Sequence, residues 1–160
     1  MTGEEFAQRV LDMKDTLYRV CYAQLRHRCD YEDAVQECLE KAWKNRDRLR
    51  NERYMKTWIV HILVNECHNI QRQRKREVLV DVLPGQAPEP ENRVDITLQD
   101  ALLRLDLKLR LPIVLYYMEN YRLAEIAKIL RLPQGTVASR MNRAKEELKK
   151  YYSDGVFYHE

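Results

Sequence analysis

Pro84, Gly85, Pro88 and Pro90 fall inside VLVDVLPGQAPEPENRVD, residues 78–95, and no continuous helix can cross that stretch. Each proline lacks a backbone N–H and biases the residue before it away from helical geometry. The segment is expected to be a polar, partly extended, flexible linker between two compact modules. The boundaries read as 1–77 for the first module, 78–95 for the linker and 96–160 for the second. With only four glycines and five prolines in 160 residues, and 33% of the chain charged, both modules read as helical.

Apolar periodicity places helices near residues 4–27, 31–45 and 53–76 in the first module. In the second it places them near 97–107 and 112–121, followed by two more. No internal repeat is evident. The expected fold class is all-α: two helical domains joined by a flexible linker.

Residues 121–143, YRLAEIAKILRLPQGTVASRMNR, spell two short helices bent around a proline-marked turn. Leu123, Ile126, Ala127 and Leu130 recur at i, i+3, i+4 and i+7, so one face of the first helix is apolar. Pro133 presets the first turn of the second helix, where its missing N–H costs nothing. Val137, Met141, Ala144 and Leu148 then form a seam. The far side carries Gln134, Gly135, Thr136, Ser139, Arg140, Asn142 and Arg143. A helix of this size fits the major groove of B-DNA with its N-terminal side chains at the base edges. Gln and Arg bond base edges in bidentate fashion, whereas Arg143, Lys145, Lys149 and Lys150 suit phosphates. A plain helical hairpin with a solvated polar face has the same spacing.

Charge supplies a second signal. The formal net charge is only +3, but residues 41–56 and 72–76 are basic whereas 81–100 are acidic. A local basic patch matters more to a polyanion than the total. Residues 45–53, NRDRLRNER, crowd arginine and asparagine beside Tyr54 and Trp58. His61, Asn65, His68 and Arg72 then form a polar stripe along the following helix, which ends in RQRKR. Basic groups track phosphates, and a polar pocket beside a loop can take an unstacked base. A solvated surface would look similar. Trp43 and Trp58 read as core residues rather than stacking platforms.

Other classes find little support. No nucleophile, acid–base pair or metal cluster is visible, so no enzymatic activity, cofactor or metal is expected. Cys21, Cys29, Cys38 and Cys67 show no CxxC pairing and read as reduced thiols. Cys67–His68 and His27 near Cys29 offer a zinc alternative, but these residues sit in helical patterns rather than in the turns that usually present zinc ligands. No run of about 18 apolar residues is present to span a bilayer, and the N-terminus lacks a signal-peptide core. The expectation is a cytoplasmic protein with no membrane insertion.

DAVQECLEKAW (33–43) followed by MKTWIVHILVN (55–65) resembles region 2 of bacterial sigma factors. RLPIVLYYMENY, LAEIAKIL and LPQGTVASRMNRAKEEL resemble region 4. Their order, spacing and connector are similar to those of the small group IV type, the extracytoplasmic-function sigma factors, over about residues 6–151. The resemblance implies a transcription initiation factor that binds core RNA polymerase, recognises the −10 and −35 promoter elements and promotes strand opening. It implies that Asp33, Gln36 and Glu37 dock on the β′ clamp helices and that the second module meets the β flap. Arg46, Arg48, Arg50, Asn51, Arg53, Lys56, His61 and Asn65 would hold the −10 strand, and Gln134, Thr136, Ser139, Arg140 and Arg143 the −35 groove. An anti-sigma factor is a further implied partner. The linker would thread toward the active-site and RNA-exit channels. Arg131 replaces a glycine common at the helix-turn-helix turn, and Ala138 a basic residue. His61 stands at a frequent arginine position and Asp106 at a frequent proline position. The competing reading is a stand-alone helix-turn-helix regulator, which would need no polymerase.

Overall fold

A computed structural model describes residues 1–80 and 98–151; residues 81–97, which hold most of the expected linker, and residues 152–160 lie outside the described residues. Those described form α1 (Gly3–Asp12), α2 (Lys14–Gln24), α3 (Arg28–Lys44), α4 (Met55–Val80), α5 (Leu98–Arg104), α6 (Leu107–Tyr117), α7 (Leu123–Leu130) and α8 (Gln134–Tyr151). Two 3₁₀ turns, Arg46–Arg48 and Glu52–Tyr54, join α3 to α4. Strands are absent among the described residues.

The single helix expected over 4–27 is two. A capping box starts α1, in which Thr2 Oγ1 accepts from Glu5 N–H and the Glu5 carboxylate accepts from Thr2 N–H. At Met13 the backbone leaves helical geometry (φ −93°, ψ 3°) and the side chain is buried. That corner lets Phe6 of α1 and the Leu17, Val20 and Cys21 face of α2 reach one core.

Small residues govern the packing of α3 on α4. Ala34, Cys38 and Ala42, spaced one turn apart, are fully buried and permit a close approach. Facing them, α4 buries Ile59, Val60, Leu63, Val64 and Cys67. This arc is wider than the expected Trp58–Ile59–Ile62–Leu63 stripe, because α4 also packs against α2 and α7. Asp30 and Glu66 are buried charges, answered by Arg74 and Lys41 respectively. Trp58 packs on the core as expected, but Trp43 is 38% exposed and belongs to the surface.

In the second module the helix expected from 112 begins at Leu107 and runs through Pro112. The ring sits in a run, Leu109 to Leu115, that is buried throughout. Burial on every side stabilises a helix that has lost one backbone donor. Arg110, also buried, donates to the carbonyls of Leu102, Leu103 and Leu105 at 2.7–2.8 Å and so caps the C-terminal end of α5 and the turn that follows it. The Val137–Met141–Ala144–Leu148 seam of α8 is buried as the spacing predicts.

The two halves pack together, α2 against α6 and α4 against α7. Glu119, just past α6, is buried and accepts hydrogen bonds from Thr16 and Arg19 of α2. Of the cysteines, Cys21, Cys38 and Cys67 are buried and Cys29 is exposed; all four are free thiols. Burial pushes the Cys38 thiol up to about 12. Contact with Cys21, and then burial, push Cys67 up as well. Among the described residues no group of three His, Cys, Asp or Glu side chains is placed to hold a metal.

Candidate nucleic-acid interface

The turn between α7 and α8 is closed by Arg131 in the left-handed conformation, φ 54° and ψ 45°. Its N–H returns to Lys128 O at 3.3 Å and that of Leu132 to Ala127 O at 3.0 Å, the paired bonds of a Schellman motif. A glycine corner has thus been kept with an arginine in it. Pro133 O then accepts from Thr136 and Val137 N–H, which opens α8.

On the face opposite its seam, α8 leaves Gln134, Ser139 and Arg143 exposed and Thr136 and Arg140 half-exposed. Nothing lies within 4 Å of where a Gly135 Cβ would be, so the leading turn is open. Ser139 Oγ donates to Gly135 O at 2.9 Å, and Arg143 lies 3.6 Å from Glu147. Both contacts are local, spanning one turn of α8.

The second surface is the 46–53 segment with the start of α4. Arg48, Arg50, Asn51, Arg53 and Lys56 are exposed. Arg46 is half-buried: its guanidinium lies 3.9 Å from the Trp43 ring centre and donates to Trp43 O at 2.7 Å. Asn51 Oδ1 accepts from Arg53 N–H at 3.0 Å and caps the second 3₁₀ turn. Arg48 and Asn65 share a recess of about 340 Å³ with Trp58, Ile62, Lys41 and Asn69. Sequence reading did not single out Lys41, Ile62 and Asn69 for this recess; one helical turn between Ile62, Asn65 and Asn69 is the signal that points to them.

His61 is turned elsewhere. Its Nδ1 is 3.0 Å from Ile129 O at the end of α7, so Nδ1 carries the proton and donates. Nε2 then accepts from Asn65 Nδ2 at 3.3 Å, with Arg131 Nη2 at 3.5 Å. The polar stripe of α4 thus touches the helix-turn-helix, and α7 buries Ile129, a residue outside its expected stripe. Lys56 Nζ lies 5.9 Å from the Tyr121 ring centre on the same side.

Asp33, Gln36 and Glu37 form an exposed row on α3. Asp33 and Glu37 line a groove of about 430 Å³ with Asp30, Glu66, Arg74 and Glu77. Of the charged residues that line it all but Arg74 are acidic, a lining that complements a basic protein surface.

A helix-turn-helix and a separate arginine-rich loop, carried on packed helical modules, define a DNA-binding protein. Residues 10–77 match the family model described as Sigma-70 region 2, and residues 96–148 match Sigma-70, region 4. SigW of Bacillus subtilis, an ECF RNA polymerase sigma factor, is 31% identical over 94% of this chain and 90% of its own. SigM of Mycobacterium tuberculosis is 30% identical over 88% of this chain and 74% of its own. The sigma factor RpoE from Bartonella quintana, solved in complex with the anti-sigma factor NepR, superposes with a TM-score of 0.79 at 28% identity, covering 95% of this chain and 99% of that one. The chain belongs to the ECF RNA polymerase sigma factors.

Proposed function

We propose that this sigma factor binds core RNA polymerase, reads the −35 element with α8, and holds the melted −10 strand on the 46–53 segment and the recess around Asn65. The observation that carries this is the pairing, in one chain, of an open polar face on α8 with an arginine-rich loop beside a half-open polar recess. Duplex readout needs the first and strand capture the second. The exposed Asp33–Gln36–Glu37 row faces the β′ clamp helices in this reading, and the second module meets the β flap. The working division is 1–77, 78–95 and 96–160.

The protein supplies no chemistry of its own and works in the cytoplasm, where the polymerase is. No helix among the described residues is long and apolar enough to cross a membrane. An anti-sigma factor is its expected regulator, by likeness to the RpoE–NepR complex. The His61 Nδ1–H that bonds Ile129 O is not available to a DNA strand while α4 and α7 stay packed, so full use of this ring on the promoter has α4 and α7 part.

Run-off transcription with purified core polymerase tests the function. Specific transcripts from fragments selected out of a randomised promoter library are the expected result. Duplex binding without any association with core polymerase would instead establish the stand-alone regulator.

A further inference from the structure

The short first helix has no role in the reading above, yet it touches the far end of the segment assigned to the −10 strand and bears on the near end through Trp43 of α3. Phe6 meets the Trp43 ring edge-on at 5.2 Å between centres, and Trp43 in turn carries the Arg46 guanidinium on its face. One turn further along α1, Arg9 reaches residue 52 twice: Nη2 to Glu52 Oε2 at 3.0 Å and Nη1 to the Glu52 carbonyl at 3.2 Å. The same Nη1 lies 4.0 Å from Met55 Sδ. Glu52 is flanked directly by Asn51 and Arg53, two of the residues assigned to DNA.

Gripping a carboxylate and a carbonyl of one residue fixes both its side chain and its peptide plane. Between the two anchors the backbone bonds are local, from Arg48 to Asn45, Leu49 to Arg46 and Tyr54 to Asn51. Local 3₁₀ bonds hold a shape weakly. Side chains that must meet a flexible strand lose affinity if the loop has to be ordered on binding, and an existing support lowers that cost.

We propose that α1 is a brace for the promoter-reading segment, with Arg9 a positioning residue that acts through Glu52. The inference rests on the assignment of residues 46–53 to the −10 strand. Arg9 itself does not touch DNA. Its side chain is 42% exposed and that of Glu52 51%, so removing the pair leaves the core intact.

The test uses the full chain with core polymerase and promoter fragments randomised through the −10 stretch. Wild-type protein first selects its preferred fragments. Arg9→Ala should then form open complexes about 2- to 5-fold less well on them, the scale of an exposed pair, with a flatter preference across −10 variants. Affinity for core polymerase and for −35 duplex should not change, and the thermal midpoint should hold. In a Glu52→Ala background the same Arg9→Ala change should have little further effect. An Arg9→Ala protein indistinguishable from wild type on every −10 variant, or a loss that persists undiminished without the Glu52 side chain, overturns the brace. A wild-type protein that selects no −10 sequence at all, while still binding core polymerase, instead removes the assignment on which it rests. The brace is then judged by amide exchange across residues 46–54, which Arg9→Ala should accelerate and which an unchanged rate would refute.

Discussion

The Thr16 hydroxyl donates a 2.8 Å hydrogen bond to a Glu119 carboxylate oxygen, joining residues 103 positions apart in the chain. Arg19 binds the other oxygen. With its side chain only 1% exposed, Glu119 takes both of these hydrogen bonds beneath α2.

Glu119→Gln is expected to lower unfolding stability by about 1–3 kcal/mol, because a charge-assisted buried bond becomes a neutral one. It should also loosen the seat of α6 on α2. Denaturant melts measure the first effect, and small-angle scattering the second as an increase in radius of gyration. A wild-type midpoint would mean that the bond is energetically idle.

Arg131→Gly should act in the opposite direction. A non-glycine residue held at positive φ is strained, and glycine at that corner should add up to about 1 kcal/mol of stability. The loss of the 3.5 Å contact between Arg131 and His61 offsets part of the gain. A lower denaturation midpoint would show that this contact outweighs the backbone strain.

Two substitutions test the two proposed reading surfaces separately. Arg140→Ala should weaken −35 binding by roughly 1–3 kcal/mol and relax preference at one position if the side chain contacts a base. A preference unchanged across −35 variants removes it from the reading set. Asn65→Ala, in the recess with Arg48 and Trp58, should impair strand opening more than closed-complex binding. Equal loss on duplex and pre-melted templates would argue against strand capture there.

Acid should destabilise the protein through His68. Burial first, and Arg72 second, hold its imidazole below the usual histidine range. The unfolded chain therefore takes up the proton first, so this contribution is complete above the unfolded value of about 6.5 and is lost as pH falls through it toward the folded one. Denaturant midpoints measured on either side of that value should fall with acid, and His68→Gln should reduce the fall. An identical acid dependence in the variant would assign it to other groups.

Much of the architecture was legible because helical spacing reports burial directly. The α8 seam and the two-helix unit around Pro133 follow from residues three and four apart. Expectation and structure part where a long-range contact overrides local preference. Nothing near Met13 announces a corner, which exists because α1 and α2 must both reach one core. Pro112 marks a helix start by local rules, yet a fully buried run carries the helix through it. Arg131 was recognisable as an arginine at a glycine's place, and the backbone took the glycine's conformation regardless. The exposure of the polar face of α8 and of the arginines in 48–53 was legible as surface chemistry. The support that Arg9 gives to Glu52 was not, because the two are 43 positions apart and each looks like an ordinary surface charge.

The hydrogen bond between His61 and Ile129 O has a consequence for genetics. Because one strip of α4 serves as the seat for α7 and as a candidate cradle for unpaired bases, a screen for hyperactive alleles should converge on it. Its hits would be easily mistaken for changes in promoter preference. Amide exchange across α7 in each allele would tell a protein whose α4–α7 contact has opened from one with altered taste.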